Sequence, residues 1–241
     1  MNQLLPVIFY IFAWLLFAYV CGSISFAVVV SWVMGLQDPR TFGSHNPGAT
    51  NVLRTGNKLA ALATLLLDGF KGWVPLVLAK SFLLQNLFLD FSSLGFDSNP
   101  QEAANITNWA IAGVAIFAFI GHLWPVFFRF KGGKGVATAA GLLLGMQPLL
   151  GLSVLLTWVA VALITRYSSL SALVSALLAP CYLVLGSMYV WTDAQGQVNT
   201  DPLPLALACA LMAVFLIYRH KENISRLMAG QETKIFKKTE R

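Results

Sequence analysis

Apolar runs dominate this 241-residue chain, falling at about 4–33, 58–89, 106–128, 136–148, 150–164, 169–190 and 204–219. Roughly 20 apolar residues span a hydrocarbon core as a helix, and a helix satisfies its own backbone polar groups in lipid. The pattern predicts an all-α polytopic membrane protein with seven hydrophobic helical segments, forming a single domain over 1–241. The polar stretches between the runs alternate in charge. Residues 34–57 are basic and glycine-rich, and 129–135 (R-F-K-G-G-K-G) are intensely basic. Residues 90–105 carry three acids and no Lys or Arg, while 191–203 carry Asp193 and Asp201 and no base. The tail from Arg219 to Arg241 holds seven bases against three acids.

Basic loops mark the cytoplasmic side. The first 32 residues contain no Lys or Arg, and Arg40, Arg54 and Lys58 follow the first apolar run, so the N-terminus is placed outside. A secretory signal would have a basic start and a shorter apolar core, so this run is expected to be a true first span. Lys134 and Arg166 are separated by 31 residues. Crossing them as one span would put Arg166 outside and leave the basic tail on the wrong side. Gln147-Pro148 near the middle predicts two short re-entrant helices instead, with every basic cluster and the C-terminus cytoplasmic.

Composition sharpens this picture. The chain is 57% hydrophobic and 11% charged, against roughly 25% charged in soluble domains. Cys21, Cys181 and Cys209 lie in apolar runs without metal-ligand spacing and read as packing residues. No zinc helix of the H-E-x-x-H type and no G-x-S-x-G elbow is present. G-G-K-G is not a nucleotide-binding P-loop, because Gly135 stands where Ser or Thr should follow the lysine. His45, His122 and His220 all lack the Asp five positions on that soluble-faced glycerolipid acyltransferases use. No metal and no cofactor is therefore expected. Asp68 and Lys71, three apart in L-L-L-D-G-F-K-G-W, can pair on one helix face. A functional role and a neutralised structural pair both remain open for them.

Four polar clusters lie on the expected inner side: 38–58, 121–138, 165–171 and 218–230. The first three precede helix starts, with Asn57 and either Ser168 or Ser169 as caps and G-G-K-G opening onto V-A-T-A-A. A helix N-terminus offers unpaired N–H groups and partial positive charge. Glycine allows close backbone approach, and Arg54, Lys134 and Arg166 add full charge. Together they predict a pocket for a strongly anionic ligand, with room for two phosphates. Basic loops follow from topology alone; the small polar residues Asn46, Gly48, Thr50 and Asn51 do not.

The motifs G-S-I at 22–24, D-P-R-T-F-G-S-H-N-P-G-A-T-N-V-L-R at 38–54, L-D-G-F-K-G at 67–72, G-H-L-W-P at 121–125, F-K-G-G-K-G-V-A-T at 130–138, R-Y-S-S-L-S at 166–171 and R-H-K-E-N-I-S-R-L at 219–227 carry a family resemblance. In this order and across essentially the whole chain, the sequence resembles the bacterial acyl-phosphate:glycerol-3-phosphate acyltransferases of the PlsY type. The resemblance implies acyl transfer from acyl phosphate to the 1-hydroxyl of glycerol 3-phosphate, giving lysophosphatidate and phosphate, the first step of bacterial phospholipid synthesis. It also implies seven helices, two too short to cross, in the bacterial inner membrane with a cytoplasmic-facing site.

By motif position, Ser44, Lys134, His220 and Asn223 are the implied catalytic residues. Gly43, Asn46, Thr50, Asn51, Arg54, Lys131, Gly132, Gly133 and Ser171 are the implied substrate-binding residues. Ser25 stands where the family often has Pro, and His45 occupies a variable place, which argues against His45 as the base. Because acyl phosphate has a good leaving group, positioning and charge neutralisation matter more than nucleophile activation. The expected partners are the two substrates, membrane lipids and the acyl-phosphate-forming enzyme of the same pathway, with no nucleic acid. The alternative function is a transporter for a small phosphorylated solute, which would favour a midplane polar site and an inverted repeat. Neither is evident.

Overall fold

A computed structural model describes residues 4–93, 100–189 and 201–235. The acidic residues Asp97 and Asp193 lie outside the described residues. The helices are α1 (Leu4–Gly22), α2 (Phe26–Val33), α3 (Ala49–Val52), α4 (Lys58–Ser93), α5 (Pro100–Leu123), α6 (Val136–Met146), α7 (Pro148–Thr165), α8 (Ser168–Tyr189), α9 (Leu203–Arg219) and α10 (Lys221–Met228). Each expected apolar segment after the first coincides with one helix. By length and composition α1, α4, α5, α7 and α8 can cross a membrane, and the α9–α10 pair, bent by 62°, adds a sixth.

Many large side chains face outward, and small ones recur where helices meet. Ile8, Phe9 and Phe12 on α1 and Leu163 and Ile164 on α7 are exposed, whereas Ala18, Ala110, Ala115 and Ala118 are buried. Lipid is as apolar as leucine, so helices in it associate through close backbone packing at small residues. The α1–α5 contact works this way. A Cβ on Gly22 would lie 2.1 Å from the Ala118 carbonyl oxygen, and one on Gly121 would lie 2.4 Å from that of Tyr19.

The first apolar run is not one helix. It breaks at Ser23–Ser25, between α1 and α2, which corrects the expected continuous span over 4–33. A helix break inside a membrane protein needs partners for the freed backbone groups, and α4 supplies both. Lys71 donates to the Ile24 carbonyl at 2.6 Å, and the Phe26 amide bonds to the Asp68 carboxylate. Asp68 and Lys71 themselves pair at 2.7 Å, both buried. The ion pair thus caps the two ends of the break, which assigns it a structural task.

The α6–α7 connection is a tight reversal. Pro148 opens α7, where its missing N–H costs no helical bond. A Cβ on Gly151 would lie 2.5 Å from the Leu144 backbone. Lys80 of α4 donates to the Met146 carbonyl at 3.1 Å, covering the end of α6. At 11 residues α6 is too short to cross. By contrast α7 has 18 residues and passes the length test, so only one of the expected short pair is short. The residues before α6 and those after α7 both meet the segment 219–235. Lys134 bonds to Asn223, and the Ile235 amide donates to the Arg166 carbonyl at 2.8 Å.

Candidate functional site

The loop at 34–57 is built around Asn51. Its Nδ2 donates to the carbonyls of Pro39 (2.6 Å) and Phe42 (3.2 Å), and its Oδ1 accepts from the Ser44 amide at 3.1 Å. Arg54 Nη1 lies 3.5 Å from the same oxygen. Both amide hydrogens are therefore used within the loop. Asn51, 2% exposed, thus holds the loop together. Gly43 is left-handed (φ 61°), and a Cβ there would meet Asn51 Oδ1 at 2.4 Å. Asp38 grips Arg40, whose guanidinium also lies over the Phe128 ring at 5.5 Å, tying this loop to the next. His45 is exposed, with Nδ1 3.1 Å from the Arg40 carbonyl.

The glycine turn before α6 is held by a residue that sequence reasoning did not single out. Arg219 donates from Nε to the Gly133 carbonyl (3.0 Å) and from Nη2 to the Gly132 carbonyl (2.6 Å). A trans peptide points its N–H opposite its C=O, so this grip turns the Lys134 amide away from Arg219. Glycine is required here for space. A Cβ on Gly132 would lie 2.1 Å from the His122 carbonyl, and one on Gly133 would lie 2.3 Å from His122 Nε2. The same Gly133 Cβ would be 3.0 Å from the Pro47 carbonyl, so the 34–57 loop and the glycine turn meet at this point. Behind the turn, Thr138 Oγ1 donates to the Asp68 carbonyl at 2.9 Å and lies 3.1 Å from His122 Nδ1.

Lys134, His220 and Asn223 converge as expected. Lys134 donates to Asn223 Oδ1. Burial, with Arg226 and Arg219 nearby, outweighs the carboxylates of Glu232 and Glu222 and pushes the Lys134 ammonium down to about 8. His220 is buried, its Nδ1 2.8 Å from the Leu216 carbonyl. With Nδ1 as the donor in that bond, Nε2 is the acceptor.

The third cluster departs from expectation. α8 begins at Ser168, which leaves Tyr167 rather than Ser168 or Ser169 at the cap position. Ser171 is fully buried, and its hydroxyl donates back to the Tyr167 carbonyl at 2.8 Å. Ser169 donates to Glu232 at 2.8 Å. Arg226 Nε and Asn223 Nδ2 also donate to Glu232, at 2.8 and 2.6 Å. Burial alone would raise the Glu232 carboxyl, but these hydrogen bonds outweigh it and hold it below the ordinary glutamate value.

Arg219, Ser169, Arg226 and Glu232 are thus additions to the site. Their sequence signal was weak: Arg219, Ser169 and Arg226 sit in clusters whose basic character topology already accounts for, and Glu232 lies beyond the last of them. Of the other implied residues, Thr50, Arg54 and Lys131 are exposed at the rim and Asn46 is half-buried. The polar site adjoins an apolar slot between α6, α8 and α9, lined by Ala139, Ala176, Ala179, Cys209, Met212 and Leu216. Its upper end lies within a turn of His220, at Leu216.

Residues 12–230 match the family model described as glycerol-3-phosphate acyltransferase. Glycerol-3-phosphate acyltransferase of Burkholderia cenocepacia is 51% identical over 220 residues, covering 91% of this chain and 88% of the relative. The protein of the same name in Bordetella petrii is 50% identical over 236 residues, covering 98% of each. Two crystal structures of PlsY (YgiH), an integral membrane glycerol 3-phosphate acyltransferase, share the fold. Its glycerol 3-phosphate form gives a TM-score of 0.71 at 33% identity, covering 93% of this chain and 95% of that one. Its lysophosphatidic acid form gives 0.70 at 32%, with the same coverage.

Proposed function

The chain belongs to the glycerol-3-phosphate acyltransferase family, and from that premise we propose that it moves the acyl group of acyl phosphate directly onto the 1-hydroxyl of glycerol 3-phosphate. The hydroxyl oxygen attacks the acyl carbon, the bond from that carbon to the phosphate oxygen breaks, and inorganic phosphate leaves with the electron pair. A phosphate oxygen takes the hydroxyl proton. The observation that carries this reading is the junction of the 34–57 loop with the glycine turn beside Lys134, His220 and Asn223. It supplies cationic and backbone donors for phosphate, and no carboxylate–histidine pair is formed by His220.

In this reading Arg54 grips phosphate by its planar fork and Lys134 acts as a point charge. Gly43, Ser44, Asn46, Thr50, Lys131, Gly132 and Gly133 form the rim, and Ser171 the opposite wall. His220 Nε2 and Asn223 orient the glycerol moiety. The neighbouring fold's capture with glycerol 3-phosphate and with lysophosphatidic acid supports one site for acceptor and product. The basic clusters support a site on the cytoplasmic face of the inner membrane with the N-terminus outside.

The deciding experiment supplies purified protein with palmitoyl phosphate and labelled glycerol 3-phosphate. Lysophosphatidate and phosphate should appear in equal amounts; turnover only with a thioester donor would overturn the proposal. Recovery of an acylated Ser44 or Ser171 would replace direct transfer. His220→Gln should keep turnover at saturating substrate while raising KM. Lost turnover with unchanged binding would instead make His220 the base.

A further inference from the structure

The residues after α10 fold back into the basic cluster along a defined path. Gly230 is left-handed (φ 68°). The Gly230 amide donates to the Leu227 carbonyl (3.1 Å) and the Gln231 amide to the Arg226 carbonyl (2.7 Å). These are the two bonds of a Schellman helix end. The reversal delivers Glu232 into the site, and the Ile235–Arg166 bond fixes the far side of the segment.

A carboxylate at this position settles which way Asn223 faces. An ionised carboxylate can only accept hydrogen bonds, so the amide NH2 of Asn223 turns toward Glu232 and its oxygen toward Lys134. The reverse orientation would set NH2 against ammonium. The Glu232 side chain is 6% exposed and is fixed further by Ser169 and Arg226. One ammonium hydrogen of Lys134 is directed at Asn223, and the other two are left to face outward from that bond.

We propose that Glu232 is a positioning residue that, acting through the Asn223 amide, holds the Lys134 ammonium charged and aimed at the substrate phosphate. The proposal rests on the phosphate-pocket reading above and names a residue to which that reading gave no role. The charged and titratable groups around Lys134 are Arg219 on α9, His220 at the bend, Glu222 and Arg226 on α10, and Glu232 on the tail. Glu232 is the buried anion among them, and its removal leaves Glu222 to offset Arg219 and Arg226.

The test is glycerol 3-phosphate binding to the full-length protein in detergent, followed by calorimetry from pH 6.5 to 9.5 at constant ionic strength, without acyl donor. Phosphate monoesters lose their second proton near pH 6, so a fall in affinity near pH 8 reports the protein. In the wild type that fall should occur near pH 8. Glu232→Gln should weaken binding about tenfold or more at pH 7 and move the fall to lower pH. Glu232→Asp keeps the charge but shortens the reach, and should weaken binding without moving the fall.

A Glu232→Gln protein whose fall stays near pH 8 would make Glu232 merely structural and overturn the proposal. If Glu232→Gln does not fold, Glu232→Asp decides: wild-type affinity there would overturn the relay. A wild type whose binding is flat in pH would overturn the relay, and one whose affinity matches Lys134→Ala would overturn the phosphate-pocket reading itself.

Discussion

Lys134→Ala should lower kcat by roughly 10²–10³, about 2.7–4 kcal/mol of transition-state stabilisation, the scale of a lost donor in a water-poor site. Lys134 is half-buried, so bulk solvent does not replace its charge at the leaving phosphate. The loss should appear in kcat, as negative charge grows on the departing phosphate, and also in the KM for glycerol 3-phosphate, whose phosphate the same ammonium meets in the bound complex. A pH effect accompanies it. The Lys134 ammonium titrates at about 8, so its charge is present below that pH and lost as pH rises through it. In the wild type kcat/KM should fall across this interval, and in Lys134→Arg the fall should vanish, since arginine stays charged. Steady-state rates from pH 6.5 to 9.5 check both. Near-normal turnover in Lys134→Ala would remove the basis of the phosphate pocket.

Lys71→Met should destabilise the fold by about 3–5 kcal/mol, because it strands the buried Asp68 carboxylate without its partner. It also removes the donor to the Ile24 carbonyl. The double variant Asp68→Asn/Lys71→Met should recover most of that loss. It strands no charge, and the asparagine oxygen still faces the Phe26 amide. Thermal unfolding in detergent separates the cases. Recovery would identify the pair as a cap for the α1–α2 break. A double variant as unstable as the single one would show that the charges themselves are needed.

Features encoded by neighbouring residues were legible in the sequence. Asn57 caps α4, its Oδ1 accepting the Ala60 amide at 2.9 Å. Pro148 marks the α6–α7 reversal, and the asymmetry of the basic loops foretold their gathering at one end. Lys134 and Asn223 were both singled out, although the bond between them spans 89 positions and has no local signal. The features missed are those defined by distant partners. The break at Ser23–Ser25 has only the short Gly-Ser-Ile-Ser stretch as local signal and depends on a lysine 47 positions away. Ser169 looked like a helix cap because serine before an apolar helix usually is one, yet its hydroxyl reaches 63 positions to Glu232. Asn51 has a structural task with no local signal, holding Pro39, Phe42 and Ser44 together.

The α1–α2 break also sets an order of assembly during synthesis. Its two capping groups lie on Asp68 and Lys71, which leave the ribosome well after α2. Until α4 enters the bilayer, the Ile24 carbonyl and the Phe26 amide lack those partners, and α1 and α2 do better joined as one straight helix. The kink is therefore a late event, imposed on a finished first span by the second one. Nascent chains arrested before Lys71 should carry residues 23–25 as continuous helix. Arrest beyond α4 should restore the bend, as a distance measured between labels on α1 and α2 would report.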